Sequence, residues 1–477
     1  MTQVNKTVFR KYDIRGVAVG DDPQITPDLA RLVGKALGTY MPKTFGVEHM
    51  FVGRDNRLTS PPLQRAMLEG IASTGMNVTD IGEVVTPTVY FASSSYKGKD
   101  GKRSGGGVMI TGSHLETKYN GIKMAYGPLA LADQQIQDLL QIILDDAFAV
   151  GNGTISQDFE MGRKHMVTIR DMVKFDRPLK VVIDAGNGMS GTYVPPILQE
   201  LGVDLTCLYC ESDGTYPNHL PNPEDPTTTK DLEAKVIELG ADLGLAFDGD
   251  ADRCGFIDNH GHHITADRLL ALLARDVLSR NPGANIVFDV KVSQALPDFI
   301  RKYGGNPVMW KTGHSLIKLK MHELKSPVGG EISGHLFWGE NYYGFDDAPL
   351  IALKTLEIIA KSGKTVSELF EEIPQLVATP EIVLSTPDAV KFAIIDELTH
   401  ELSKQTEVIT IDGVRALFDG GWGLVRASNT QPAITLRFEA YTAPQLVTII
   451  RTFKNLLDRH PEIDQSKLVE QLTAFSK

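Results

Sequence analysis

The chain has 477 residues, 42% of them hydrophobic and 23% charged, and a net charge of −12, which describes an ordinary acidic globular protein of several domains, about three or four. The charge argues against nucleic-acid and anionic-membrane partners, and three cysteines are too few for a disulfide scaffold. No apolar run reaches transmembrane length and the N-terminal segment lacks an apolar signal core, so the expectation is a cytoplasmic enzyme.

Residues 9–16 (FRKYDIRG) form a basic-aromatic segment containing Tyr12 and Arg15. An apolar strand ending in Asp55 follows, then an amphipathic helix, Gly75 and a second apolar strand. This reads as one strand–helix–strand unit, with the glycine as helix C-cap. The glycine-rich SGGGVMI then leads into Thr111-Gly112-Ser113-His114. A serine in a small-residue turn after a strand suits an exposed nucleophile or phosphate carrier, although TGSH alone reads as a polar turn. Asn120-Gly121 is a tight-turn signal, and Lys123 follows.

The unit recurs with Asp184 and Gly202. Its second strand carries Cys207 and Cys210, whose spacing faces them opposite ways; buried free thiols are expected. Next comes the most telling segment. Between the apolar runs ADLGLAF and CGFI lies Asp248-Gly249-Asp250-Ala251-Asp252-Arg253. In an extended loop, alternate residues point to one side. Three converging carboxylates repel unless a hard cation sits between them. An all-oxygen set suits Mg²⁺ better than Zn²⁺. The EF-hand reading fails, because Arg253 and Asn259 stand where that loop wants Gly and Glu.

A third unit carries Asp289 and Gly304, with Lys291 just after the strand. Two polar glycine loops follow. One is KTGH, ending in His314; the other is GGEISGH, with Glu331, Ser333 and His335. Glu331 and Ser333 alternate and together suit vicinal sugar hydroxyls. Copies about a hundred residues apart suggest three similar domains rather than a solenoid. Beyond them come helices over 365–373 and 388–404, two strands flanking a loop around 426–432, and a helix capped by Thr442. Arg426, Ser428, Asn429 and Thr430 in RASNT make a good anion cradle. The fold class expected is α/β: three similar mixed domains (1–155, 156–257, 258–367) and a smaller α+β domain (368–477).

TGSH, DGDADR, GEISGH and RASNT occur in this order over essentially the whole chain. Together they resemble the α-D-phosphohexomutase superfamily, and FRKYDIRG, FDVKVS and KTGHSLIK resemble its bacterial phosphomannomutase/phosphoglucomutase branch. The resemblance implies four domains around a central cleft, the fourth mobile. It implies a phosphoserine at Ser113 and Mg²⁺ held by Asp248, Asp250, Asp252 and an oxygen on Ser113. The phosphoserine would donate to a hexose monophosphate; the 1,6-bisphosphate would reorient and return its other phosphate. Arg15, His114, Lys123, Arg253, Lys291 and His314 match positions lining the reaction site, with acid and base roles left open; a lysine pKa depressed among cations would make a base. Tyr12, Glu331, Ser333 and His335 would bind the sugar. Arg426, Ser428, Asn429 and Thr430 would anchor the non-reacting phosphate. The partners implied are small-molecule sugar phosphates, with a hexose 1,6-bisphosphate as activator, and a monomer or weak oligomer.

Ile332 stands where amino-sugar mutases of the superfamily carry Gln, which disfavours glucosamine phosphate. One departure concerns the serine loop, where Leu115-Glu116 replaces the family's Asn-Pro. Loss of proline alters loop rigidity, and Glu116 brings a negative charge toward the serine. Two rival readings are a Mg²⁺-dependent sugar phosphatase and a non-catalytic sugar-phosphate-binding protein.

Overall fold

The computed structural model describes residues 4–99, 101, 104–428 and 431–476. Among the described residues there are four sheets in chain order. The first three are built on one motif. In the first, the strand His49–Arg54 pairs in parallel with Asn77–Glu83 on one side and Gly106–Ile110 on the other; Tyr119–Tyr126 adds antiparallel at the far edge of Gly106–Ile110. In the second, Lys180–Asp184 lies between Asp204–Leu208 and Leu243–Phe247, and Cys254–Ile257 adds antiparallel. In the third, Asn285–Asp289 lies between Asn306–Trp310 and Val328–Gly330, and Leu336–Trp338 adds antiparallel. Parallel strands with helical crossovers are covered on both faces. That is why Gly106–Ile110 and Leu243–Phe247 are buried at every position.

The fourth strand of each motif returns through a short loop. That loop is residues 111–118 in the first sheet, 248–253 in the second and 331–335 in the third. The serine loop, the carboxylate loop and GEISGH are thus one hairpin in three copies. Gly75, Gly202 and Gly304 follow the crossover helices at φ 93°, 79° and 75°, the conformation that a helix C-cap glycine supplies.

The second and third sheets share one continuous core, including Leu245, Phe256, Phe288 and Trp338. The carboxylate and GEISGH loops are therefore fixed relative to each other. The first and fourth domains have their own cores, around Met50, Val108 and Ile122 and around Leu436, Phe438 and Phe453. The first sheet runs past position 155, because Ile155–Gln157 pairs with Asn77–Glu83. The second runs past 257, because His263–Ile264 pairs with Cys254–Ile257. Among the described residues the last sheet is antiparallel, centred on Gly421–Ala427 and Ala433–Ala440.

Two helices are shorter than their periodicity suggests. One is Val366–Phe370, opened by a capping box of Thr365 and Glu368. The other is Lys391–Ser403; Pro387 forms a turn ahead of it, its carbonyl accepting from the Val390 and Lys391 amides. Cys207 is exposed and Cys210 half-buried, which corrects the expectation of buried thiols: Asp204–Leu208 is an edge strand, open along one side. No described helix is long and apolar enough to cross a membrane.

Arg415 ties the fourth domain to the third. Its fully buried guanidinium donates to the carbonyls of Val290 and Val292 at 2.7 and 2.9 Å. It also stacks 3.7 Å from the Trp422 ring centroid, and burial lowers its pKa to about 9. The two carbonyls flank Lys291. Arg415→Ala leaves them buried and unpaired, at an expected cost of about 3 kcal/mol. Urea denaturation checks this; an unchanged midpoint would contradict the clamp.

Candidate active site

Ser113 sits in the hairpin after Gly106–Ile110 with φ 51°. For a residue with a Cβ this left-handed conformation costs about 1–2 kcal/mol, so the surroundings must enforce it. Its amide donates to Thr111 Oγ1 at 2.8 Å. Its Oγ donates to Asp248 Oδ2 at 3.0 Å and lies 3.2 Å from His114 Nδ1. The serine is not exposed, as its turn suggested, but 3% accessible, because the carboxylate loop of the second domain covers it.

Asp248, Asp250 and Asp252 are buried and bring carboxylate oxygens within 4.8 Å of one another. They do so through a turn rather than an extended loop. Ala251 adopts φ 55° and its amide donates to the Asp248 carbonyl at 3.1 Å. Asp248 Oδ1 accepts from the amides of Asp252 and Arg253 at 3.1 and 3.2 Å, and Oδ2 accepts from Arg253 Nε at 3.1 Å. Burial, then the charges of Asp252 and Asp250, pushes the Asp248 pKa up to about 8.

Lys123 reaches across from the first sheet. Its Nζ is 2.6 Å from Asp250 Oδ2 and 2.5 Å from Asp252 Oδ2. Thr86 Oγ1 also donates to Asp250 Oδ2, at 2.6 Å. Burial opposes the Lys123 charge, but Asp250 and Asp252 outweigh it and raise its pKa. Burial likewise opposes the Lys291 charge, and Glu381 and Asp289 raise it. The expected depressed lysine is therefore neither of these. The lysine that burial does lower is Lys318.

Two carboxylate oxygens, Asp250 Oδ1 and Asp252 Oδ1, are buried without a hydrogen-bond partner among the described residues. Unsatisfied buried oxygens converging on one point are the donor set of a hard divalent cation. Asp252, His335 and Asp346 form a second acidic group, but there His335 Nδ1 already engages Asp346 Oδ2 at 3.0 Å.

Cations and imidazoles surround the loop. Arg253 donates to Glu224 Oε1 at 2.6 Å, while its buried Nη2 has no hydrogen-bond partner among the described residues. Arg15 pairs with Asp13 at 2.6 Å. Burial, Arg253 and Arg15 push the His114 pKa far below its usual range, so the ring is neutral. His314 stacks on His335, with ring centroids 5.3 Å apart; burial and Lys318 push its pKa down. Burial opposes a charge on His335, but Asp252 and Asp346 raise its pKa.

The third and fourth domains, with Tyr12 of the first, supply the rest. Glu331 accepts a short hydrogen bond from the Gly313 amide, and burial with Asp289 pushes its pKa up to about 7. Ser333 is half-buried on the same turn. Tyr12 donates to the Thr312 carbonyl at 3.2 Å, and burial raises its pKa. Lys291 Nζ is 3.1 Å from Glu381 Oε2. Arg426 Nε donates to Asp412 Oδ2 at 3.0 Å, and Ser428 Oγ accepts from the Gln431 amide at 3.2 Å. Asn429 and Thr430 lie outside the described residues.

Several residues here escaped sequence reasoning. Lys391 Nζ donates to the carbonyls of Ser428 and Gln431 at 2.6 and 3.1 Å. Lys318 pairs with Asp346 at 2.8 Å and lies 4.0 Å over the Tyr90 ring. Both lysines sit on helices, where a lone lysine reads as solvated.

Four family models match the chain: phosphoglucomutase/phosphomannomutase alpha/beta/alpha domains I, II and III over residues 6–149, 164–261 and 265–377, and the C-terminal domain over 368–454. A phosphomannomutase/phosphoglucomutase of Pseudomonas aeruginosa is 44% identical over 452 residues, covering 94% of this chain and 95% of that protein. A phosphoglucomutase of Neisseria meningitidis serogroup A is 41% identical over 468 residues, covering 97% and 99%. A crystal structure of a phosphoglucomutase/phosphomannomutase family protein from Burkholderia thailandensis superposes with a TM-score of 0.89 at 39% identity, covering 97% and 99%.

The Glu331 carboxyl makes a pH-dependent contribution to stability. Its pKa rises from 4.5 to about 7 on folding, so the folded state binds a proton that the unfolded state releases in that window. Ionised Glu331 above pH 7 therefore costs stability. Glu331→Gln is expected to raise Tm at pH 8, and the gain should shrink toward zero as pH falls through 7 to 4.5. A lower Tm at pH 8 would refute this.

Proposed function

The chain belongs to the phosphoglucomutase/phosphomannomutase family and interconverts hexose 1-phosphates and hexose 6-phosphates, and we propose that Ser113 carries the transferred phosphoryl group. The observation carrying this is the 3.0 Å contact of Ser113 Oγ with Asp248 across 135 positions of sequence. It joins a nucleophile to a carboxylate cluster with open oxygens.

In the proposed cycle, phosphorylated Ser113 faces a hexose monophosphate. The bond from phosphorus to Ser113 Oγ breaks as a bond forms to the free sugar hydroxyl; the hydroxyl's proton passes to a base in the site, and the departing serine oxygen takes up a proton in turn. The resulting 1,6-bisphosphate reorients. Its other phosphate then returns to Ser113, leaving the isomeric monophosphate. A hexose 1,6-bisphosphate supplied from solution would restore phosphate to a discharged serine.

Little covalent work falls to the protein, so positioning and charge dominate. The Asp248-Asp250-Asp252 set fits Mg²⁺, with an oxygen on Ser113 as a further ligand; a bound Mg²⁺ would offset charge on the transferring phosphoryl oxygens. Arg253, with its unpartnered Nη2, adds a preorganised cation, and Arg15, Lys123 and His114 line the same side. His314 and Lys291 face it from the third domain.

Glu331, Ser333, His335 and Tyr12 hold the sugar hydroxyls. A carboxylate accepts from two vicinal hydroxyls equally well in either orientation of the ring. Arg426, Ser428, Asn429 and Thr430 anchor the phosphate that is not reacting. Arg426 now pairs with Asp412 and Lys291 with Glu381; an arriving phosphate competes for both cations. The substrates are glucose or mannose phosphates, which differ only at C2.

Intact-protein mass is expected to show a stoichiometric phosphate on Ser113, discharged by glucose 1-phosphate. Ser113→Ala should lower kcat by roughly 10³-fold or more and keep sugar-phosphate binding; full activity in that variant removes Ser113 from the role. Arg426→Ala should raise KM about 10- to 100-fold with kcat little changed. An unchanged KM would sink the phosphate-anchor assignment.

A further inference from the structure

We propose that Arg57 is the positioning residue that presents Ser113 to the carboxylate cluster, acting entirely through the backbone of the serine loop. The inference rests on the phosphoserine reading above.

Arg57 lies just beyond the strand His49–Arg54, and its side chain is 1% accessible. All four terminal N–H groups of its guanidinium are spent on the serine loop and the first residue of the strand after it. Nη2 donates to the carbonyls of Ser113 and Leu115 at 2.9 and 2.5 Å. Nη1 donates to those of Glu116 and Tyr119 at 2.8 and 3.1 Å. Its Nε lies 3.2 Å from Asp55 Oδ2, the oxygen that accepts from the Gly112 amide at 3.1 Å. Asp55 is itself held by Ser60 Oγ at 2.5 Å and by the Arg57 amide at 3.1 Å. A planar fork with fixed donors sets four carbonyl directions at once.

The loop needs such a device. Residues 111–120 contain no proline, and Ser113 occupies a left-handed conformation at φ 51°. Its carbonyl is pinned from both sides. Arg57 donates to it, and a Cβ added at Gly249 would lie 2.6 Å from it. With the carbonyl held there, Oγ is left facing Asp248. The second domain seals the clamp: the Tyr216 ring lies 5.1 Å from the guanidinium, and its hydroxyl donates to Asn56 Oδ1 at 3.1 Å.

Only backbone atoms of residues 115 and 116 take part. The Glu116 side chain is exposed and pairs with Lys118 at 2.7 Å. Leu-Glu can therefore occupy these positions without bringing charge to the serine.

The test compares Arg57→Lys and Arg57→Ala with wild type on glucose 1-phosphate. Misplacing the reacting atom by about 1 Å costs roughly 10²-fold in rate. Arg57→Lys should lose about that much kcat while KM stays within about threefold, because the residues proposed to hold the sugar and the distal phosphate lie outside the serine loop. Guanidinium ion added to Arg57→Ala should restore part of the kcat, and methylammonium should not. A Cβ at Gly112 would lie 2.5 Å from Arg57 Cζ and Nε and 2.8 Å from the Tyr119 carbonyl oxygen that Arg57 holds; if Arg57→Ala fails to fold, Gly112→Ala forces the guanidinium and this carbonyl apart with the charge intact and should show the same kcat loss. The proposal is overturned if Arg57→Lys keeps wild-type kcat, if kcat and KM decline together, or if Gly112→Ala is fully active. An inactive wild type would instead reject the mutase reading, and this inference with it.

Discussion

Concentrated negative charge in a buried turn is the constraint on which the site depends. Asp248, Asp250 and Asp252 cannot all ionise in one dry place unaided. Their compensation comes from several parts of the chain. Lys123 arrives from the first sheet, at 2.6 and 2.5 Å from two of the carboxylates. Arg253 and two backbone amides serve the third. His335 faces Asp252 from the third domain at 3.9 Å. The cluster is stable only when these domains are docked. The shared core of the second and third domains is therefore a condition for the chemistry, not an addition to it.

One hairpin repeated three times does three jobs. Each lies at the carboxyl end of parallel strands, where α/β sheets place their ligands. The first copy presents a hydroxyl, the second carboxylates, the third a carboxylate and a hydroxyl, which we propose meet the sugar. The aspartate ending each central strand steadies local backbone in every case. Asp55 accepts from Gly112, Asp184 from Gly186 and Asp289 from Ile332. Two of those amides belong to the functional hairpins themselves. Rigid strands thus transmit register to loops that would otherwise be soft.

Legibility in the sequence followed the range of the interaction. The strand–helix–strand units announced themselves by local periodicity, and the three aspartates by spacing between apolar runs. Ser113 and the other motif loops stood out only together, through their resemblance to one family, since TGSH alone reads as a polar turn. Arg57, Lys318 and Lys391 were not, because their partners are backbone carbonyls or acids far away in the chain, and nothing in a local window marks a buried cation. The convergence of the aspartates was anticipated, but its cause was not: Ala251 turns the chain at φ 55°, which no propensity of alanine suggests. Glu116 illustrates the opposite error. Its place near Ser113 in sequence implied an electrostatic effect that its outward direction removes.

The central claim is that phosphate passes between Ser113 and the sugar without release to water. Phosphorus-31 NMR of the wild-type protein with glucose 1-phosphate, Mg²⁺ and a trace of glucose 1,6-bisphosphate follows every phosphate species together. The account predicts that the 1-phosphate signal is replaced by glucose 6-phosphate while total sugar phosphate stays constant and a phosphoserine signal persists. Accumulation of inorganic phosphate, or an unchanged 1-phosphate signal, would contradict it.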